Sequence, residues 1–154
     1  MKKILVECYG DEALVKYLGI SDIEHCYGSG NVLNKLKNRN DGIGLIDADP
    51  IGTKNNYFKA FKQIGEANYG VSIHIDYARS NKIIMIDPQL EGWLWKLFEE
   101  INSKKILKKH RFPENQKDLH TYLGVNKSNN LIPLLSEIEV NQKSNRLEEL
   151  RRAL

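Results

Sequence analysis

Ile43-Gly44-Leu45-Ile46-Asp47-Ala48-Asp49-Pro50 is a short apolar run that ends abruptly in two carboxylates and a proline. Its length and its flanking turn signals, Asn40-Asp41-Gly42 before and Pro50 after, read as a buried strand. Working backwards, Lys2 to Cys8 (KKILVEC) is a second apolar run with β-branched residues, followed by a turn at Tyr9-Gly10. Asp11 can cap or open a helix that runs to Leu18 and stops at Gly19. Ile23 to Tyr27 is another short strand, and Gly28-Ser29-Gly30-Asn31 forms a tight loop before a helix from Val32 to Asn38. Strand–helix–strand–helix–strand predicts a parallel α/β sheet with right-handed crossovers.

Working forwards, Gly52 to Asn56 reads as a loop and Tyr57 to Ile64 as a helix. Val71 to Ala78 and Lys82 to Asp87 are strand-like runs joined by Arg79-Ser80-Asn81, which predicts a hairpin and so a mixed sheet. Asp87-Pro88 opens a helix carrying Glu91, Trp93, Leu94, Leu97, Phe98 and Ile101, with Asp87 as its cap and Pro88 at its first position. Residues 104–118 are basic and loop-like, with Pro113 as a breaker. Leu131 to Ile138 and Asn145 to Leu154 close the chain as helices, the last with a Leu147, Leu150, Leu154 stripe typical of core packing. The expected architecture is a mostly parallel central sheet flanked by helices over residues 1–103. Residues 104–154 add a basic segment and a small helical C-terminal appendage packed on the same domain.

The chain has 154 residues, room for one core of this kind and not two. Its net charge of +3 excludes a polycationic tail protein. That total hides an asymmetry. Residues 1–100 hold 12 basic and 14 acidic side chains, a balance of −2, whereas residues 101–154 hold 11 and 6, a balance of +5. No apolar run is long enough to span a bilayer, and Met1-Lys2-Lys3 leads directly into a strand containing Glu7, so a soluble cytoplasmic protein is expected, away from membranes. Cys8 and Cys26 have no CxxC spacing, which argues against a disulfide framework or zinc.

Loops at the carboxyl ends of parallel strands gather at one edge, where ligands bind in such sheets. Glu7 and Asp11 lie at the end of the first strand, Asp47 and Asp49 at the end of the third, and Asp87 and Glu91 after the last. Carboxylates held this close repel one another unless a cation stands between them, and hard oxygen ligands suit Mg²⁺ or Mn²⁺. Each has a plainer alternative. Asp11 is equally a helix cap, Asp47 to Pro50 a turn, Asp87 a cap and Glu91 a helix-face charge. Glu7 has few, because an unpaired carboxylate in an apolar strand is costly. Gly28, Ser29 and Gly30 form a phosphate-friendly turn at a helix start, without the lysine of a P-loop. His25, His74, His110 and His120 are scattered and receive no role.

The sequence Glu7-Cys8-Tyr9-Gly10-Asp11, a Gly-rich turn, and then Leu45-Ile46-Asp47-Ala48-Asp49-Pro50-Ile51-Gly52 resembles a Toprim domain. Pro88-Gln89-Leu90-Glu91-Gly92-Trp93-Leu94 resembles the acidic residue and tryptophan that open a helix in small stand-alone proteins of the overcoming-lysogenization-defect (OLD) type. The resemblance covers roughly residues 2–100. It implies a metal-dependent nuclease acting on DNA or RNA, in bacterial antiviral defence. Glu7 would act as ligand or general acid/base, and Asp47 and Asp49 as the metal-binding pair. Asp11 and Glu91 would be further ligands for one or two Mg²⁺ or Mn²⁺ ions. The chain departs from the family at Cys8, where a glycine is usual, and at Ile51, where topoisomerases carry a third Asp. Lys104, Lys105, Lys108, Lys109 and Arg111 are expected to contact phosphates. The alternative is a catalytically silent Toprim-like module that binds a partner ATPase or an RNA. A monomer or a homodimer fits either reading.

Overall fold

The computed structural model describes residues 3–48, 55–124 and 127–154. Its strands and helices in chain order are β1 (Ile4–Val6), α1 (Tyr9–Tyr17), β2 (Ile23–His25), α2 (Ser29–Lys37), β3 (Ile43–Asp47), β4 (Lys62–Asn68), β5 (Val71–Asp76), β6 (Asn81–Ile86), α3 (Leu90–Glu100), α4 (Lys104–Lys109), α5 (Gln116–Tyr122), α6 (Leu131–Asn141) and α7 (Asn145–Ala153). The strands form one sheet in the order β2-β1-β3-β6-β5-β4. The pairs β2–β1, β1–β3 and β3–β6 are parallel, and β6–β5 and β5–β4 antiparallel. The expected α/β class, the mostly parallel sheet and the hairpin are all present.

Alternation along the central strands sends side chains to two cores. Ile4, Val6, Ile43, Leu45, Ile84 and Ile86 face α1, α3, α6 and α7, whereas Leu5, Ile46, Ile83 and Met85 face α2, Tyr57 and Phe61. Gly44 lets α2 approach β3 closely, since a Cβ there would stand 2.7 Å from Val32 Cγ1. Leu131, Leu134, Leu135 and Ile138 of α6 and Leu147, Leu150 and Ala153 of α7 belong to the larger core. The C-terminal helices are thus one of the layers that cover the sheet. Glu139 of α6 joins Tyr17 of α1 to Arg151 of α7. No helix among the described residues is long and apolar enough to cross a membrane.

Three local expectations are corrected. Tyr57 to Ile64 is a short 3-10 helix, Asn56–Ala60, followed by β4. Every residue of β4 is exposed, so its order comes from backbone pairing with β5 and leaves no periodic apolar signal. The basic stretch 104–118 holds α4 and the start of α5, with Pro113 between them. Each helix is under two turns and is anchored by one buried leucine, Leu107 or Leu119, too little to register as periodicity. Gln89 rather than Asp87 occupies the N-cap position of α3, without a side-chain capping bond, and the Asp87–Pro88 peptide bond is cis.

Because Leu150 is fully buried against the sheet layer, Leu150→Ala should destabilise the protein by about 2–5 kcal/mol in urea unfolding. A loss below about 0.5 kcal/mol would show that α7 is peripheral.

Candidate cation and phosphate site

The parallel register aligns Val6 with Leu45 and Asp47 with Ile86, so Glu7 and Asp47 emerge beside each other at the carboxyl edge. The Asp47 amide donates to Glu7 Oε1 at 3.3 Å. The carboxylate of Asp47 reaches α3, where its Oδ1 accepts the Leu90 amide at 2.9 Å. It thereby satisfies one of the unpaired donors at that helix start.

Asp11 enters from α1. It is not the cap itself; Cys8 is, an uncommon choice for the position. The Cys8 amide donates to Asp11 Oδ2 at 3.1 Å, and the Asp11 amide donates to Cys8 Sγ at 3.4 Å, forming a reciprocal capping box. Gly10 permits the close packing of α1 on α3, since a Cβ there would lie 2.5 Å from Leu90 Cδ2. Asp11 is fully buried, and its second oxygen, Oδ1, has no hydrogen-bond partner. Among the described residues it is the one buried side-chain nitrogen or oxygen left in that condition.

Glu91 sits in the first turn of α3 and accepts a hydrogen bond from, or shares a proton with, His120 Nδ1 at 2.7 Å. His120 is exposed, on α5. Lys117, Gln116 and Gln89 join the pair around a shallow depression of about 430 Å³. Neither His120 nor Lys117 was expected at the site, because α5 itself was hidden. The Asn115–Asp118 spacing, with the Asp118 amide donating to Asn115 Oδ1, was the signal for that helix start.

The four carboxylates act on one another. Burial, then the charges of Asp47 and Glu91, push the Asp11 pKa from the ordinary 3.8 to about 8. Burial, then the charges of Glu7 and Glu91, push Asp47 likewise to about 8. Burial first, and then Asp11, raise the Cys8 thiol far above neutrality, so it is no nucleophile here.

The phosphate-friendly turn adjoins this cluster. Gly28 caps α2 in the left-handed region, at φ 124°, and its amide donates to the Glu7 carbonyl at 2.9 Å. Ser29 and Gly30 form the first turn of α2. The basic segment lies elsewhere. Lys104, Lys105 and Lys108 line a groove of about 580 Å³ with Trp95, Glu99 and Glu114, beside the far end of α3. That end is roughly 15 Å from the helix start held by Asp47, at 1.5 Å per residue. Lys109 is paired with Glu137 at 2.9 Å, and Arg111 follows with φ 56°. The structure therefore gathers Glu7, Asp11, Asp47, Glu91 and the Gly28 turn, and sets the expected lysines apart. Asp49 lies outside the described residues.

The donor set fits a hard divalent cation: it is all carboxylate, mutually repelling, and includes an unpartnered buried oxygen. Among the described residues, no three His, Cys, Asp or Glu side chains stand as a ready-made metal cage. Mg²⁺ typically takes one or two carboxylates and keeps water for the rest, which such an arrangement allows. The chain matches no family model, no curated protein and no solved structure.

A carboxylate with a raised pKa in the fold favours folding below its unfolded pKa and loses that contribution as pH rises through the folded value. Without metal, Asp11→Asn should therefore gain stability relative to the unaltered protein between pH 4 and pH 8. Thermal melts in EDTA read this as a widening difference of several degrees. A difference that stays flat with pH would refute the raised pKa of buried Asp11.

Proposed function

We propose that this protein is a Toprim-like phosphodiester hydrolase acting on DNA or RNA with Mg²⁺ or Mn²⁺. The observation that carries the reading is Asp11 Oδ1, a buried acceptor without a partner, set among the charges of Asp47 and Glu91. An unpaired buried carboxylate oxygen costs stability, and such a cost is retained where a ligand relieves it.

One or two of Glu7, Asp11, Asp47 and Glu91 would hold the cation directly and the others through its water, with Asp49 the further carboxylate of the same motif. A bound cation would supply Lewis-acid stabilisation of phosphate charge and lower the pKa of a coordinated water. Asp47 fixes the start of α3 through the Leu90 amide, which holds Glu91 on the same side of the sheet as Asp11. Glu7, which accepts the Asp47 amide, would take the proton from an attacking water at its carboxylate. The amide-rich start of α2 at Gly28-Ser29-Gly30 presents a positive dipole end to a phosphate. Lys117, beside Glu91, adds a cation suited to a backbone phosphate, whose contacts position without reading sequence. His120 orients Glu91 from the outside, as second-layer partners of metal ligands commonly do.

Purified protein should cleave plasmid, single-stranded DNA or RNA in Mg²⁺ or Mn²⁺ and lose that activity in EDTA. Asp47→Ala should lower the rate at least about 100-fold, the scale expected when a group stabilising transition-state charge is removed. No cleavage with any metal, or equal cleavage by Asp47→Ala, would sink the proposal. Nucleic acid held without cleavage would point instead to a silent module working with a partner ATPase or RNA.

A further inference from the structure

The end of β2 carries a feature that the carboxylates do not use. His25 closes β2, and Tyr27 follows it with its backbone in the left-handed region at φ 60°. Glycine adopts that conformation freely and tyrosine does not. The Tyr27 ring is stacked on the His25 imidazole, with centroids 4.2 Å apart and planes 18° from parallel. Tyr9, the first residue of α1, meets His25 edge-on at 4.2 Å and Tyr27 at 6.2 Å. Glu12 Oε2 lies 3.4 Å from His25 Nδ1. Tyr27 is nevertheless 70% exposed.

Single exposed aromatics are ordinary, and Tyr77 of this chain is one. Tyr27 differs in three ways. Its ring is buttressed by two others, its backbone is strained, and the next residue, Gly28, donates to the Glu7 carbonyl. A ring stacked on His25 with most of its surface in water has the form of a stacking surface, beside the phosphate-friendly turn.

We propose that Tyr27, backed by His25 and Tyr9, stacks an unpaired nucleobase of a single-stranded polynucleotide whose phosphodiester lies at the carboxylate cluster. The inference rests on the nuclease reading and adds a substrate class to it. Every base has a π-face, so such stacking tolerates sequence, whereas paired bases within a duplex keep their faces hidden. Unpaired strands, loops and frayed ends are therefore favoured over blunt duplexes.

Fluorescence anisotropy with a labelled single-stranded oligonucleotide and with a blunt duplex tests this, in EDTA and again in Ca²⁺. The unaltered protein should prefer the single strand, and Tyr27→Phe should keep that preference. Tyr27→Gly should weaken single-strand binding about tenfold, within the range for loss of one stacked base. Glycine suits φ 60°, so the same variant should remain folded at the assay temperature, and melting curves check this. Equal binding of single strand and duplex, or unchanged binding by Tyr27→Gly, overturns the platform. So does competition by a free mononucleotide as effective as the oligonucleotide. Cleavage by Asp47→Ala is scored separately. Single-strand binding lost in Tyr27→Gly without any nuclease activity would sink the hydrolase reading alone, and cleavage indifferent to Tyr27 would sink the platform alone.

Discussion

The site depends on the repulsion among carboxylates that the parallel sheet forces together. β3 lies between β1 and β6, so its last residue emerges between two strand ends and beneath the start of α3. Asp47 cannot withdraw from that place without releasing the Leu90 amide and its own amide bond to Glu7. Asp11 is pinned as firmly by its capping box with Cys8. Glu7, Asp11 and Asp47 are thus fixed by backbone amides and Glu91 is held by His120, so their charges have little freedom to separate. Protons relieve the repulsion in the absence of a cation, and a cation relieves it in their place.

The opposite edge of the sheet shows what a purely structural buried carboxylate looks like in this protein. Asp76 is also buried, yet Tyr57 donates its hydroxyl to Asp76 Oδ2 at 2.6 Å, and the Ala78 amide donates to Oδ1 at 3.0 Å. Asn81 completes the group, donating to the Leu36 and Arg39 carbonyls and accepting the Gly42 amide. Every polar atom there has a partner, as interiors ordinarily require. Asp11 Oδ1 breaks that rule, at the edge where ligands bind in open α/β sheets.

The sheet and its acidic edge were legible because both rest on local signals. Apolar runs ending at Glu7 and Asp47 mark strands, and the strand–helix alternation orders them. What escaped was set by contacts distant in sequence or by elements too short for periodicity. β4 is an exposed edge strand, and α5 is anchored by Leu119 alone. The Glu91–His120 pair spans 29 positions and depended on seeing α5. Cys8 as a helix cap and Tyr27 at positive φ each run against residue preference, so local sequence rules do not predict either. The lysines of α4 were placed by charge alone, and charge does not say on which side of α3 they stand.

On the proposed reading, this cluster takes a divalent cation in exchange for protons. Calorimetric titration of Mn²⁺ at pH 7, repeated in buffers of different ionisation enthalpy, measures both events together. Saturable binding with proton release is expected, and loss of both in Asp11→Asn/Asp47→Asn. Absence of binding, or binding of equal strength and proton count in that double variant, would contradict it.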